Sequence, residues 1–218
     1  MTEKIPVILD CDNTMGLPGC DVDDGLALLY LLGSPGVRLL GVTCSYGNST
    51  QEAVYHNTLR LLDQVGRRDI PGYRGAQGPG QLPSPAADFL SAAAREHSGE
   101  LRLLVTGSTT NLLGALALDG GFLDRLHTIS LMGGVTEPLL VGGKPMAELN
   151  LSIDARASLE VLRQAHHIRI ATAQNCLSSF FPGSELALLA ESGSPVGAYL
   201  AEALADWYAY NAEHWNLD

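Results

Sequence analysis

The sequence has no uninterrupted apolar run near the roughly 18 residues of a membrane span, so no membrane partner is expected. It is poor in positive charge. Its 13 Lys and Arg stand against 24 Asp and Glu, a formal net charge of −11. That balance repels phosphate backbones and argues against DNA or RNA as partners. Lysine is scarcest, with only Lys144 after Lys4. The four cysteines, Cys11, Cys20, Cys44 and Cys176, include no C-x-x-C pair. Neither a zinc knuckle nor a disulfide is therefore expected, and reduced thiols in the core or loops are. No basic start and cleavage site precede the apolar stretch Ile5 to Leu9, so cytoplasmic residence is the expectation.

What remains has the makeup of a globular protein. Apolar residues are 46% and charged residues 17% of 218, enough for one substantial core. No repeat or linker divides the chain, and a single domain over 1–218 is expected. Strand-like segments at Lys4–Asp10, Val37–Cys44, Leu101–Val105, Thr128–Met132 and His167–Thr172 alternate with helix-like ones. The helical segments are Val22–Leu32, Thr50–Val65, Ala86–Glu96, Thr110–Leu118, Ser184–Glu191 and Pro195–Glu213, with one more running from a cap at Asp154 to Ala165. Gly75–Pro85 and Gly133–Asn150 read as loops. Alternation of this kind predicts an α/β fold, a mostly parallel sheet with helices on both faces.

In such sheets ligands bind where strands end. Asp10, Asp12, Asp21, Asp23 and Asp24 follow the first strand, and Gly47 and Asn48 the second. Thr106, Gly107, Ser108 and Asn111 follow the third; Gly133, Gly134, Glu148 and Asn150 the fourth; Asn175 the fifth. Five carboxylates in fifteen residues repel one another without a compensating cation. Hard oxygen ligands suit calcium or magnesium, and calcium tolerates the irregular geometry of a loop. Capping of the helix at Val22 is the competing role, at least as good as ligation for Asp21. For Asp12 and Asp24 together the metal is the better reading.

Ile8-Leu9-Asp10-Cys11-Asp12, followed by Asp23-Asp24-Gly25-Leu26-Ala27-Leu28, resembles the D-x-D…D-D signature of the nucleoside hydrolases, the inosine/uridine-preferring family. Tyr46-Gly47-Asn48, Thr106-Gly107-Ser108-Thr109-Thr110-Asn111, Leu131-Met132-Gly133-Gly134 and Ala147-Glu148-Leu149-Asn150 leading to Asp154 agree in order and spacing. The resemblance implies a nucleoside-hydrolase-like, Rossmann-like fold and cleavage of the N-glycosidic bond of ribonucleosides. It implies Ca2+ held by Asp12, Asp24 and the backbone carbonyl of Thr106. Asp12 would also take the proton from the metal-bound water that attacks the anomeric carbon. Asp23, Asn48, Glu148 and Asn150 would bind the ribose hydroxyls, Asp10 would brace the loop, and the chain would form a homodimer or homotetramer.

The sequence departs from the family in three places. Residues 13–22 replace a short Pro-Gly turn, and Gly142 stands where many members place an Asn. The late Gly-rich segment with its His-Asp pair has no counterpart, since the chain ends at Trp215-Asn216-Leu217-Asp218 and His214 lacks a following Asp. Slow or absent turnover is the corresponding expectation. Two alternatives stay open. Asp10-Cys11-Asp12-Asn13-Thr14 also matches the D-x-D-x-T of haloacid-dehalogenase-like phosphatases, although no suitably placed Lys follows it. A ribose- or calcium-binding protein without turnover is the other. Trp207, Tyr208, Tyr210 and Trp215 could stack on a base, with core or interface packing at least as good an account of their spacing.

Overall fold

The computed structural model describes residues 3–179 and 181–215, so the last three positions of the Trp215–Asp218 stretch lie outside the described residues. In chain order the elements are β1 (Ile5–Cys11), α1 (Asp23–Gly33), β2 (Val37–Cys44), α2 (Gln51–Gln64), β3 (Gly72–Arg74), α3 (Pro85–Glu96), β4 (Arg102–Val105) and α4 (Thr110–Leu118). There follow β5 (Thr128–Met132), β6 (Leu140–Val141), β7 (Lys144–Pro145), α5 (Ala155–Gln164), β8 (Ile168–Ala171), α6 (Ala173–Cys176), α7 (Gly183–Glu191) and α8 (Pro195–Trp215). Six strands form one sheet in the order β3-β2-β1-β4-β5-β8, every neighbouring pair parallel.

β1 is apolar along most of its length because both its faces are buried. Its alternate side chains feed two cores. Val7, Leu9 and Cys11 pack with Leu28 and Leu31 of α1, Val54, Leu61 and Leu62 of α2, and Ala203 and Leu204 of α8. Ile8 points the other way, into Leu90 of α3, Leu112 and Ala115 of α4, and Val161 of α5. Period-two alternation thus puts a helical layer on each face of the sheet. Side-chain caps fix three of the helices. Thr50, Ser84 and Asp154 accept from the amides of Ala53, Ala87 and Ala157, with Pro85 in the first turn of α3.

The chain runs from β1 outward to β2 and β3, then returns to the other side of β1 for β4, β5 and β8. That reversal opens a crevice at the carboxyl ends of β1 and β4, the place where open α/β sheets bind ligands. The loops that begin at Asp12 and Thr106 both start there.

The expected loop 133–150 contains the two-stranded β6–β7 hairpin, closed by the Met146 amide donating to the Leu139 carbonyl at 3.0 Å. Two-residue strands carry no periodicity, so pattern alone does not reveal them. β3 and α6, of three and four residues, escape the pattern for the same reason. The N-cap of α1 is Val22 and receives no side-chain bond, so Asp21 does not cap that helix. Trp207 and Tyr208 pack against the α1–α2 core, while Tyr210 stacks on His214. No helix among the described residues is long and apolar enough to cross a membrane.

Candidate active site

β1 delivers Asp10 and, one residue past its end, Asp12; both are fully buried. Asp10 serves the framework. Its Oδ2 accepts from Thr43 Oγ1 of β2 at 2.5 Å and from Asn111 Nδ2 of α4 at 2.9 Å. Asn111 Oδ1 in turn accepts from the Ala76 amide at 2.8 Å, so one carboxylate and one amide tie together the ends of β1 and β2, the start of α4 and the loop after β3. Burial pushes the Asp10 carboxyl up to about 7, against the pull of those two hydrogen bonds. Its Oδ1 is buried without a partner among the described residues.

Asp12 Oδ2 accepts from the Asn48 amide at 2.5 Å, and the Asp12 amide donates to Asp24 Oδ2 at 3.2 Å. Asp24 reaches the same point from the first turn of α1 and is also buried. The second oxygen of each, Asp12 Oδ1 and Asp24 Oδ1, is buried without a partner among the described residues. Burial raises both carboxyls, and Asp23 and Asp12 raise Asp24 further still. Among the described residues no three His, Cys, Asp or Glu side chains converge as a metal shell. The pair therefore offers two carboxylates.

Close approach between the loops depends on missing side chains. A Cβ on Gly47 would lie 2.0 Å from Asp12 Oδ2, and one on Gly107 would lie 2.7 Å from Ser45 Oγ and 3.1 Å from the Asp12 nitrogen. Glycine at 47 lets the β2 loop present its next amide to Asp12.

Beside this buried pair is a cleft of about 350 Å³ that includes Asp21, Asp23, Asn48, Thr106, Glu148 and Asn150 in its lining. Asp23 is exposed to the cleft, with protein packed around its base. That crowding, then the charges of Asp21 and Asp12, lifts its carboxyl to about 6. Asn150 Nδ2 donates to the Thr106 carbonyl at 2.9 Å and to that of Met132 at 3.2 Å, pinning the loop after β7 to the ends of β4 and β5. Glu148 is more occupied than expected from its position. Its Oε1 accepts from the Gly134 and Leu151 amides at 3.0 and 2.8 Å, and its Oε2 from the Ser152 amide at 2.9 Å. The seven expected positions thus lie at one end of the sheet: Asp23, Asn48, Thr106, Glu148 and Asn150 line the cleft, and Asp12 and Asp24 are buried beside it, Asp12 joined to the lining through the Asn48 amide.

Sequence reasoning left out the apolar wall of the cleft, formed by Met132, Leu139, Met146 and Leu149. The hairpin brings Leu139 and Met146 together, and its cross-strand pairing has no signature in so short a segment. Asn175 closes on its own helix, accepting from the Thr172 amide at 2.9 Å.

Buried carboxylates at the switch point of a parallel sheet, beside a cleft with polar and apolar walls, define a small-molecule site of the α/β class. More specifically, the chain belongs to the inosine-uridine preferring nucleoside hydrolases, whose family model matches residues 7–217. A pyrimidine-specific ribonucleoside hydrolase, RihA, of Klebsiella pneumoniae subsp. pneumoniae is 28% identical, covering 98% of this chain and 75% of its own length. RihA of Photobacterium profundum is likewise 28% identical over 95% of this chain and 73% of its own. Among solved structures, a plant nucleoside hydrolase superposes with a TM-score of 0.85 at 24% identity, covering 99% of this chain and 74% of its own. A purine-preferring ribonucleoside hydrolase from Gardnerella vaginalis gives 0.82 at 22%, covering 95% and 73%.

Proposed function

We propose that this chain hydrolyses the N-glycosidic bond of ribonucleosides with the help of a bound calcium ion. The observation that carries the reading is that Asp12 Oδ1 and Asp24 Oδ1, on two carboxylates joined through the Asp12 amide, are both buried without a partner among the described residues. Burying two carboxylates side by side without a cation is costly, and hard oxygen donors on a loop suit calcium. Asp12, Asp24 and the Thr106 carbonyl would hold the ion, fewer than the roughly six to eight oxygens calcium takes, which leaves room for water and sugar hydroxyls. When bound, the ion supplies Lewis acidity that eases deprotonation of water at neutral pH.

The protein's own residues do the rest. Asp23, Asn48, Asn150 and Glu148 hydrogen-bond the ribose hydroxyls and hold the anomeric carbon over Asp12. Water oxygen bonds to that carbon, its proton passes to Asp12, and the glycosidic electron pair leaves with the base. The surrounding carboxylates stabilise the positive charge that develops on the ribose. A role for the apolar wall follows from its chemistry: Met132, Leu139, Met146 and Leu149 exclude water from the opposite side of the cleft. The homodimeric or homotetrameric assembly implied by the resemblance is part of the same reading.

The test is product analysis. Uridine and inosine with calcium are expected to yield free base and ribose, and an aryl phosphate no phosphate. Ribose binding without any release of base would make the chain a binding protein and refute the proposal.

A further inference from the structure

The sheet edge opposite the cleft carries a second recess, of about 630 Å³, with Arg102, Asp124, His127, His166, His167 and Arg169 in its lining. Parallel register explains why these residues meet. Arg102 begins β4 opposite Thr128 of β5, and Thr128 Oγ1 donates to the His167 carbonyl at 3.1 Å. Arg169 lies opposite Ser130, one step along β8 from the Ile129–Ile168 pair. Three parallel strands starting at one level thus gather their first polar side chains together. In a chain of net charge −11, two arginines and three histidines around one recess form a concentration of hydrogen-bond donors and positive charge.

The local hydrogen bonds show which donors are free. His127 Nδ1 lies 3.2 Å from the Gly99 carbonyl, which can only accept, so the proton sits on Nδ1. Its Nε2, 3.4 Å from Arg102 Nη2, is then the acceptor, and His127 acts to orient Arg102. Arg102 Nε is buried and has no partner among the described residues. The one carboxylate present, Asp124, has its Oδ1 3.6 Å from His166 Nε2. Arg169 has no hydrogen-bond or ion-pair partner among the described residues, and His167 uses only its carbonyl.

We propose that this recess binds a phosphate group, either inorganic phosphate or the monoester of a small molecule. Planar guanidinium forks match phosphate oxygens in geometry as well as charge, and an imidazole offers an N–H donor in either protonation state. The volume exceeds what orthophosphate alone needs and admits an attached sugar. The recess lies at the amino ends of strands whose carboxyl ends face the cleft, so the inference does not rest on the proposed hydrolase activity.

Histidine-selective NMR of the full chain tests it, with inorganic phosphate and ribose 5-phosphate as probes and sodium chloride at matched ionic strength as the control. Saturable shifts of the His127 and His167 signals are expected with a phosphate probe and not with chloride. Saturation by inorganic phosphate would identify the free ion as sufficient; saturation by ribose 5-phosphate alone would assign the monoester. Losing one charged hydrogen bond should weaken binding by about tenfold or more in Arg169→Gln, an exposed position where folding is preserved. Arg102→Lys keeps the charge but loses the fork, and it should also weaken binding. The proposal is overturned if neither phosphate probe gives saturable shifts, if chloride reproduces them, or if Arg169→Gln and Arg102→Lys both bind as the wild type does.

Discussion

The amide of Asn48 donates to Asp12 Oδ2 at 2.5 Å, and it can do so because the residue before it has no side chain. The bond fixes one oxygen of the carboxylate and leaves the other, Oδ1, buried and without a partner among the described residues. A methyl group at position 47 would occupy the space of the fixed oxygen. Gly47→Ala should therefore swing the Asp12 carboxylate and lower kcat/KM by ~10² or more, since misplacing a reacting group by about 1 Å costs that much. Circular dichroism and melting should show a folded protein; unchanged kcat/KM would show that this bond does not position Asp12.

Calcium and pH should act on stability together. Asp10 is raised from 3.8 to about 7 and Asp23 to about 6, with Asp12 and Asp24 also raised. Carboxyls whose folded pKa exceeds the unfolded one keep protons that the unfolded chain releases, so stability is greatest below the unfolded value. It is lost as pH rises from about 4 towards 7, the window set by those shifts. In chelator, the melting temperature should fall across that range. Calcium binds the ionised, folded form, so its stabilising effect should grow with pH. A chelator melting curve independent of pH, or no calcium effect at pH 7, would contradict this.

Much of this site was readable in the sequence because its residues sit at the ends of strands that the apolar pattern reveals. Asp12, Asp23, Asp24, Asn48, Thr106, Glu148 and Asn150 are close in space because the parallel sheet brings those ends together. The pattern was silent where structure depends on pairing rather than period. The β6–β7 hairpin, which brings Leu139 to Met146, is an example. The orientation of side chains was also hidden. Capping and ligation both stayed open for Asp21, which does not cap α1 and lines the cleft, and three amides claim the Glu148 carboxylate.

Asn150 joins the ends of two strands through its amide nitrogen. Removing that side chain leaves two carbonyls short of a donor and takes a polar group from the cleft wall. Asn150→Ala should weaken ribose binding by roughly 1–3 kcal/mol, measured by calorimetric titration. Equal affinity in the variant and the wild type would put the sugar elsewhere.

Asp154 does three tasks from one position. It caps α5 through the Ala157 amide at 3.0 Å, and it accepts from Thr110 Oγ1 at 2.8 Å and from the Gly80 amide at 3.2 Å. Asp154→Ala removes the cap and leaves two donors unpaired, for an expected loss of about 2–4 kcal/mol in chemical denaturation. A loss below about 1 kcal/mol would show that water replaces all three bonds.

Release of ribose from uridine and inosine, followed in calcium, in excess chelator and after calcium is restored, tests the central claim most directly. The account predicts slow turnover in calcium, in keeping with the missing His-Asp counterpart, its loss in chelator, its recovery on restoration, and a fall of at least ~10² in Asp12→Asn, which removes the proton acceptor. Equal rates with and without chelator, or an Asp12→Asn variant as fast as the wild type, would contradict it.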